Sequence, residues 1–262
     1  MRILFIGDVV GFTGCRIVQD QLPQFRRKYN IQNVIANGEN AFRGKGLSRE
    51  IADQLFGCGV DLISSGNHIW DQKAVFDFID QEDRLIRPAN YPFGVPGRGW
   101  TSCWVGSTGI QIALINLLGR VFLSEVDSPF TALDRVLSEI PAEIKIRIVD
   151  FHAEATSEKL AMAYYADGKV SVLLGTHTHV QTADEQILSK GMGYITDVGM
   201  TGAFESILGM KVEPVLYRFL TALPARFEPA EGPGQFNAVI LEINENNGHT
   251  TKIERVYFKE NF

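Results

Sequence analysis

A chain of 262 residues, 45% hydrophobic and 21% charged, can bury a full core as one domain, and its composition excludes a disordered or fibrous protein. The net charge of −6, from 25 basic and 31 acidic residues, argues against gripping long nucleic acid through its phosphates, so no strong nucleic-acid footprint is expected. Three well-separated cysteines (Cys15, Cys58, Cys103) fit a reducing compartment, and the opening Met1–Ile6 run is too short for a signal segment; the expectation is a cytoplasmic protein without membrane contact.

Residues 2–7 read as a buried strand that meets Asp8. Gly11-Phe12-Thr13-Gly14 then opens a helix with Ile17, Val18, Leu22 and Phe25 on one face, kinked or shortened at Pro23. The glycines near Asp8 lack the G-x-G-x-x-G spacing, and an acidic side chain stands where a pyrophosphate should lie. A second strand over Val34–Asn37 ends at Gly38-Glu39-Asn40. A flexible basic loop, Arg43-Gly44-Lys45-Gly46, leads to a helix begun by Ser48 with Ile51, Leu55 and Phe56 inward. The third strand, Val60–Ile63, delivers Asn67-His68 and Asp71 and gives way to a helix over Ala74, Val75, Phe78 and Ile79. Three strand–loop–helix repeats indicate a parallel α/β sheet, whose ligands bind beyond the carboxyl ends of its strands.

Residues 87–100, rich in proline and glycine, read as a long loop at the rim of that site. A strand over Ile110–Leu118 follows, then a helix capped by Ser128-Pro129, a strand from Ile146 that leads into His152, a helix over Thr156–Ala166 and a strand into Gly175. Short strands at Gln186–Leu188 and Gly193–Thr196 precede a mixed stretch, 199–234, that suits a small cap or an oligomer contact within a single domain spanning 1–262. The end, Ala238–Ile243, Asn247-Gly248 and Ile253–Phe258, reads as a β-hairpin.

Four of the five histidines, His68, His152, His177 and His179, fall at or just after strand ends, alongside Asp8, Glu39, Asn40 and Asn67. Seven nitrogen and oxygen ligands, with His68 beside them, exceed the needs of one four-coordinate ion, so two metal ions sharing a carboxylate or solvent are the natural interpretation. The absence of thiolates favours iron, manganese, zinc or cobalt in a working site over a structural zinc. Each piece has a plainer alternative: Asp8 as a cap or turn residue, Glu39-Asn40 as turn chemistry, His152 as a hydrogen-bonded core histidine. Two histidines in Gly175-Thr176-His177-Thr178-His179 need partners if buried. His249, beside the hairpin turn, reads as solvated.

Gly66-Asn67-His68 and Gly175-Thr176-His177-Thr178-His179 resemble the G-N-H and terminal G-H-x-H blocks of calcineurin-like metallophosphoesterases. The strings Asp8-Val9-Val10-Gly11, Asn37-Gly38-Glu39-Asn40-Ala41, Gly66–Asp71, Asp150–Lys159 and Thr196-Asp197-Val198-Gly199-Met200 resemble the YmdB-like branch, over nearly the whole chain. The chain departs from the broad superfamily at Asp8-Val9-Val10, where D-x-H is usual, at Gly38-Glu39-Asn40, where a second aspartate motif is usual, and at Ile69, where an acidic residue often follows G-N-H.

The resemblance implies a sandwich of β-sheets flanked by helices, with the metal site at the strands' C-terminal ends. It also implies one ion on Asp8, Glu39, Asn40 and His179, a second on Glu39, Asn67, His152 and His177, and iron or manganese in the site. The implied activity is hydrolysis of cyclic nucleotide phosphodiesters, including the 2′,3′-cyclic kind, with 3′,5′-cyclic esters also in view. Two cations would clamp the phosphate and acidify a shared water for in-line attack, while His68, outside the coordination sphere, protonates the leaving alkoxide and Asp71 orients it. Arg43, Lys45 and Arg87 are candidate contacts for the phosphate or base, with a solvated surface as the alternative. The rival functions are a metal-dependent nucleotide-binding regulator without turnover and a metal-dependent RNA nuclease; the expected partner is a small cyclic nucleotide, with a homo-oligomer left open.

Overall fold

The computed structural model describes residues 1–106, 108–123 and 125–260. The first sheet contains β1 (Arg2–Ile6), β2 (Asp8–Val9), β3 (Asn33–Asn37), β4 (Leu62–Ser64), β11 (Met200–Ala203), β12 (Gly234–Ile243) and β13 (Thr250–Lys259). Their order is β2-β11-β12-β1-β3-β4, with β13 paired to β12. The second sheet, from β5 (Trp100–Trp104), β6 (Gln111–Leu118), β7 (Ile146–His152), β8 (Val172–Thr176), β9 (Gln186–Ile187) and β10 (Gly193–Ile195), has the order β5-β6-β7-β8-β10-β9. Strands β1, β3 and β4 are parallel, as are β6, β7, β8 and β10.

Period-two alternation explains the layering, because successive side chains of a strand leave opposite faces. Leu4 and Ile6 of β1 enter the core beneath α1 (Gly11–Lys28) and α2 (Arg49–Gly57), while Ile3 and Phe5 face the other sheet. In β7, Val149 and Phe151 pack beneath α3 (Pro129–Glu139) and α4 (Thr156–Ala166), whereas Ile146 and Ile148 join the core between the sheets. The result is a sandwich of two sheets with helices outside both, each fully buried Leu, Ile or Phe contributing about 1.5–3 kcal/mol. Among the described residues, no helix is long and apolar enough to cross a membrane.

Some local expectations change. The early repeats and the later strands belong to different sheets, since the long antiparallel β12–β13 pair lies along β1 and closes the first sheet on that side. Helix α1 runs through Pro23 to Lys28, held by buried Leu22 and Phe25 on its inner face. No α-helix forms over Ala74–Ile79: two 3-10 turns, Ile69–Asp71 and Lys73–Asp77, are separated by extended Gln72, which lies against the Gly46 loop, although Val75, Phe78 and Ile79 are buried as expected. Ser128 makes no side-chain cap, and Pro129 itself starts α3. Within 199–234, β11 joins the first sheet and α5 (Val212–Thr221) leaves Phe219 and Leu220 exposed.

Candidate metal centre

Strand order sets the site. Adjacent β1, β3 and β4 end on one side of the first sheet, so the segments that follow them carry Asp8, then Glu39 and Asn40, then Asn67 and His68 as neighbours. Adjacent β7 and β8 bring His152, His177 and His179 to the facing edge of the second sheet. The two edges meet: His152 Nε2 lies 2.9 Å from Glu39 Oε1, 3.1 Å from Asn67 Oδ1 and 3.0 Å from His177 Nδ1. Asp8, Glu39, Asn40 and His152 are buried, and Asn67, His177 and His179 are half-buried.

The outer atom of each imidazole already has a partner, which assigns its tautomer. Thr176 Oγ1 donates to Asp150 Oδ1 at 2.6 Å and so is free to accept from His152 Nδ1, 2.9 Å away. His177 Nε2 faces Glu154 Oε2 at 3.0 Å, and His179 Nδ1 faces the Leu208 carbonyl at 3.0 Å. The inner nitrogens, His152 Nε2, His177 Nδ1 and His179 Nε2, face the carboxylates and one another.

Electrostatics points the same way. Burial pushes the Asp8 carboxyl up to about 6, against the pull of His179 and His152. Burial also acts to raise Glu39, but the charge and hydrogen-bonding of His152 and the contribution of His68 hold it at about 2. Burial works to lower His152, yet Glu39, with Asp8 and Asp150, lifts it to about 9, while burial and the charge on His152 push His177 down to about 3. The cluster thus recruits positive charge to His152 Nε2, where one proton serves only one of three close neighbours; a cation is served by all four donors.

The residues present fit metal ions. Buried Asp8 Oδ1 and Asn40 Oδ1 have no hydrogen-bond partner among the described residues, and buried Glu39 Oε1 has the His152 Nε2 contact already given. Such atoms are costly to bury unless something satisfies them. Glu39, His152 and His177 place ligand atoms within 4.8 Å of one another. Gly66 leaves the necessary room: a Cβ there would lie 2.3 Å from His152 Cδ2 and 2.5 Å from Glu39 Oε2.

Several supporting residues escaped the sequence reading of roles. Buried Asp150 accepts from Ser64, Asn37 and Thr176, so its carboxylate anchors both sheet edges beneath the site. It follows Ile146 and Ile148 at alternate positions of β7, and a carboxylate on an otherwise apolar strand face was the available signal. Asn37 Oδ1 accepts from the Glu39 amide at 3.1 Å and shapes that turn. Lys159 shares the buried face of α4 with Met162, Ala163 and Ala166, a placement that helical spacing could have revealed. His177 and His179 hold φ of 98° and 66°, left-handed values that cost of order 1–3 kcal/mol in a residue with a Cβ.

Glu39 Oε2 accepts from the His68 amide at 2.9 Å, and the His68 ring sits at the rim with Nδ1 2.9 Å from Asp71 Oδ2. Arg43 and Lys45 are exposed on the loop after Asn40. Arg87 is buried, its guanidinium engaged by the carbonyls of Pro88, Val95 and Pro96. That engagement makes it a brace of the 87–100 loop.

Comparison with known proteins agrees with this architecture. Residues 4–256 match the family described as YmdB-like protein. The chain is 49% identical over 260 residues to a 2′,3′-cyclic-nucleotide 2′-phosphodiesterase of Bacillus subtilis, covering 99% of this chain and 98% of that one. A hypothetical protein from Thermus thermophilus superposes over 100% of both chains with a TM-score of 0.93 and 47% identity. A 5′-nucleotidase from Candida albicans shares the fold alone, at a TM-score of 0.58 and 13% identity over 99% of this chain and 51% of that one. The chain belongs to the YmdB-like protein family, with the fold of the metallophosphoesterases.

Proposed function

We propose that this phosphoric diester hydrolase opens the phosphodiester ring of 2′,3′-cyclic nucleotides at a two-metal centre. The observation that carries the reading is the convergence of Glu39, Asn67 and His177 on His152 Nε2, at 2.9–3.1 Å. The printed activity of the Bacillus subtilis relative supplies the substrate class. Glu39, Asn67, His152 and His177 would hold one ion, and Asp8, Glu39, Asn40 and His179 the other, with Glu39 shared. Iron or manganese suits this nitrogen and oxygen set, as do zinc and cobalt. When bound, such ions supply Lewis acidity toward phosphoryl oxygens and lower the pKa of water.

The chain's own residues do the rest. Asp71 accepts the Nδ1 proton of His68, which orients the ring. His68 Nε2 is then the atom that hands a proton to the ribose oxygen as the P–O bond breaks and the oxygen of a water that has given up a proton to solvent bonds to phosphorus. Such proton transfer is worth about 10²–10⁴-fold in rate. Arg43 and Lys45, exposed on the loop leaving Asn40, would meet an anionic substrate from solvent.

The test is hydrolysis of 2′,3′-cyclic AMP by protein loaded with Mn²⁺ or Fe²⁺, beside a chelated sample and a His68→Ala variant, with 3′,5′-cyclic AMP in parallel. The expected result is metal-dependent turnover of the 2′,3′ ester that falls about 10²–10⁴-fold in His68→Ala while bound metal is unchanged. Two bound ions with no product from either ester would overturn the catalytic reading in favour of a nucleotide-binding regulator.

A further inference from the structure

We propose that the buried ion pair between Lys159 and Asp197 is a positioning device, holding the loop of His177 and His179 in the conformation that presents both rings to the metal centre. The inference rests on the reading of those two histidines as ligands.

Lys159 is fully buried, and its Nζ donates to the Thr176 carbonyl and to Asp197 Oδ2, each at 2.8 Å. Asp197 Oδ2 also accepts from the Thr178 amide at 3.0 Å and the Thr178 hydroxyl at 2.7 Å, while Oδ1 accepts from the Gly199 amide at 2.8 Å. The pair therefore grips the residue before His177 and the residue between the two histidines. Those histidines are the positions with left-handed φ, 98° and 66°, which residues with a Cβ keep only when their surroundings dictate it. Gly175, two residues before His177, completes the arrangement: a Cβ there would meet the Thr196 carbonyl at 1.7 Å, so the loop is seated directly against the segment that carries Asp197.

Stability alone does not explain the pair. A buried lysine and carboxylate lose hydration that their attraction at best recovers, and an apolar side chain at 159 would match Met162 and Ala163 on the same helix face. What an apolar residue cannot do is bond the Thr176 carbonyl and fix the carboxylate that holds Thr178. No bond links Lys159 or Asp197 to the inner ring nitrogens, so both act through the loop and neither is a catalytic residue.

The experiment is titration of the metal-free protein with Co²⁺ against a competing chelator, recording affinity and the visible absorption of the bound ion. It is applied to the wild type and to Lys159→Met, Thr178→Val and Thr178→Ser. The expected result is a loss of about 10–100-fold in affinity and an altered cobalt spectrum in Lys159→Met and Thr178→Val, with cooperative unfolding retained. Thr178→Ser, which keeps the hydroxyl, should restore both. If Lys159→Met does not fold, Thr178→Val carries the decision, because it leaves the ion pair in place and removes the hydroxyl bond by which Asp197 holds Thr178. Folded variants with wild-type affinity and spectrum would overturn the proposal. A wild type that takes up no Co²⁺ would sink the ligand reading first and this inference with it.

Discussion

The two halves of the proposed metal centre are built differently. Around His152 the donor atoms of Glu39, Asn67 and His177 already lie within 2.9–3.1 Å of one nitrogen. In the other half, His179 Nε2 stands 4.0 Å from Asp8 Oδ1, and Asn40 Oδ1 has no partner. The cause is what each half stands on. His152 ends a seven-residue strand and is braced through Thr176 by Asp150, which also ties in Ser64 and Asn37 of the first sheet. His179 leans on the carbonyl of Leu208, a residue 47% exposed in the segment between β11 and α5. Ligands braced by a buried network are preorganised, and those braced by an exposed segment must be gathered when the ion arrives. The half around His152 is therefore expected to bind its ion more tightly.

The largest effect should come from the residue common to both halves. Glu39→Gln removes the shared carboxylate charge, and metal analysis after dialysis should find both ions lost with activity down more than about 100-fold, since even outer partners of ligands cost 10–100-fold. Retention of both ions would break the assignment of Glu39. His179→Ala separates the halves: one ion should remain per chain, and loss of both would show that the half around His152 does not stand alone. Gly66→Ala strikes the tight half, where a Cβ would lie 2.4 Å from His152 Nε2. The metal-free protein should lose about 1–3 kcal/mol in denaturant unfolding, and the tighter ion should be weakened more than the looser one. The smallest effect is expected from Asp71→Asn, which leaves both halves intact: turnover should fall about tenfold, less than the roughly 10²–10⁴-fold of the proton transfer it supports, with metal content unchanged.

The legibility of the site followed the physics of each residue. Asp8, Glu39, Asn67, His152, His177 and His179 could be picked out because a metal-ligating side chain after an apolar run is unusual in a linear pattern, and strand ends share one edge of a parallel sheet. Asp150 and Lys159 were harder, because their signal is only a charge on a face that alternation or helical spacing marks as apolar. Glu154 carried no signal: its partnership with His177 depends on how the turn after β7 meets the loop after β8. The expected helix over Ala74–Ile79 had the right apolar spacing, but contact of Gln72 with the Gly46 loop, far away in sequence, divided it into two turns. Arg87 shows the same limit, as the identity of a guanidinium says nothing of the carbonyls that will surround it.

By itself the sequence determined what depends on local periodicity and residue type: alternating strands, the capped α2, the closing hairpin, and the donors at strand ends. Only the tertiary structure decided what depends on distance in space. It divided the strands between two sheets, brought β7 and β8 opposite β1, β3 and β4, gave each imidazole its outer partner, and set the donors around His152 closer together than those around His179. Those outcomes rest on contacts between residues as far apart as Asp8 and His177, whose 3.2 Å hydrogen bond from the His177 amide to Asp8 Oδ2 exists only once both sheets have formed.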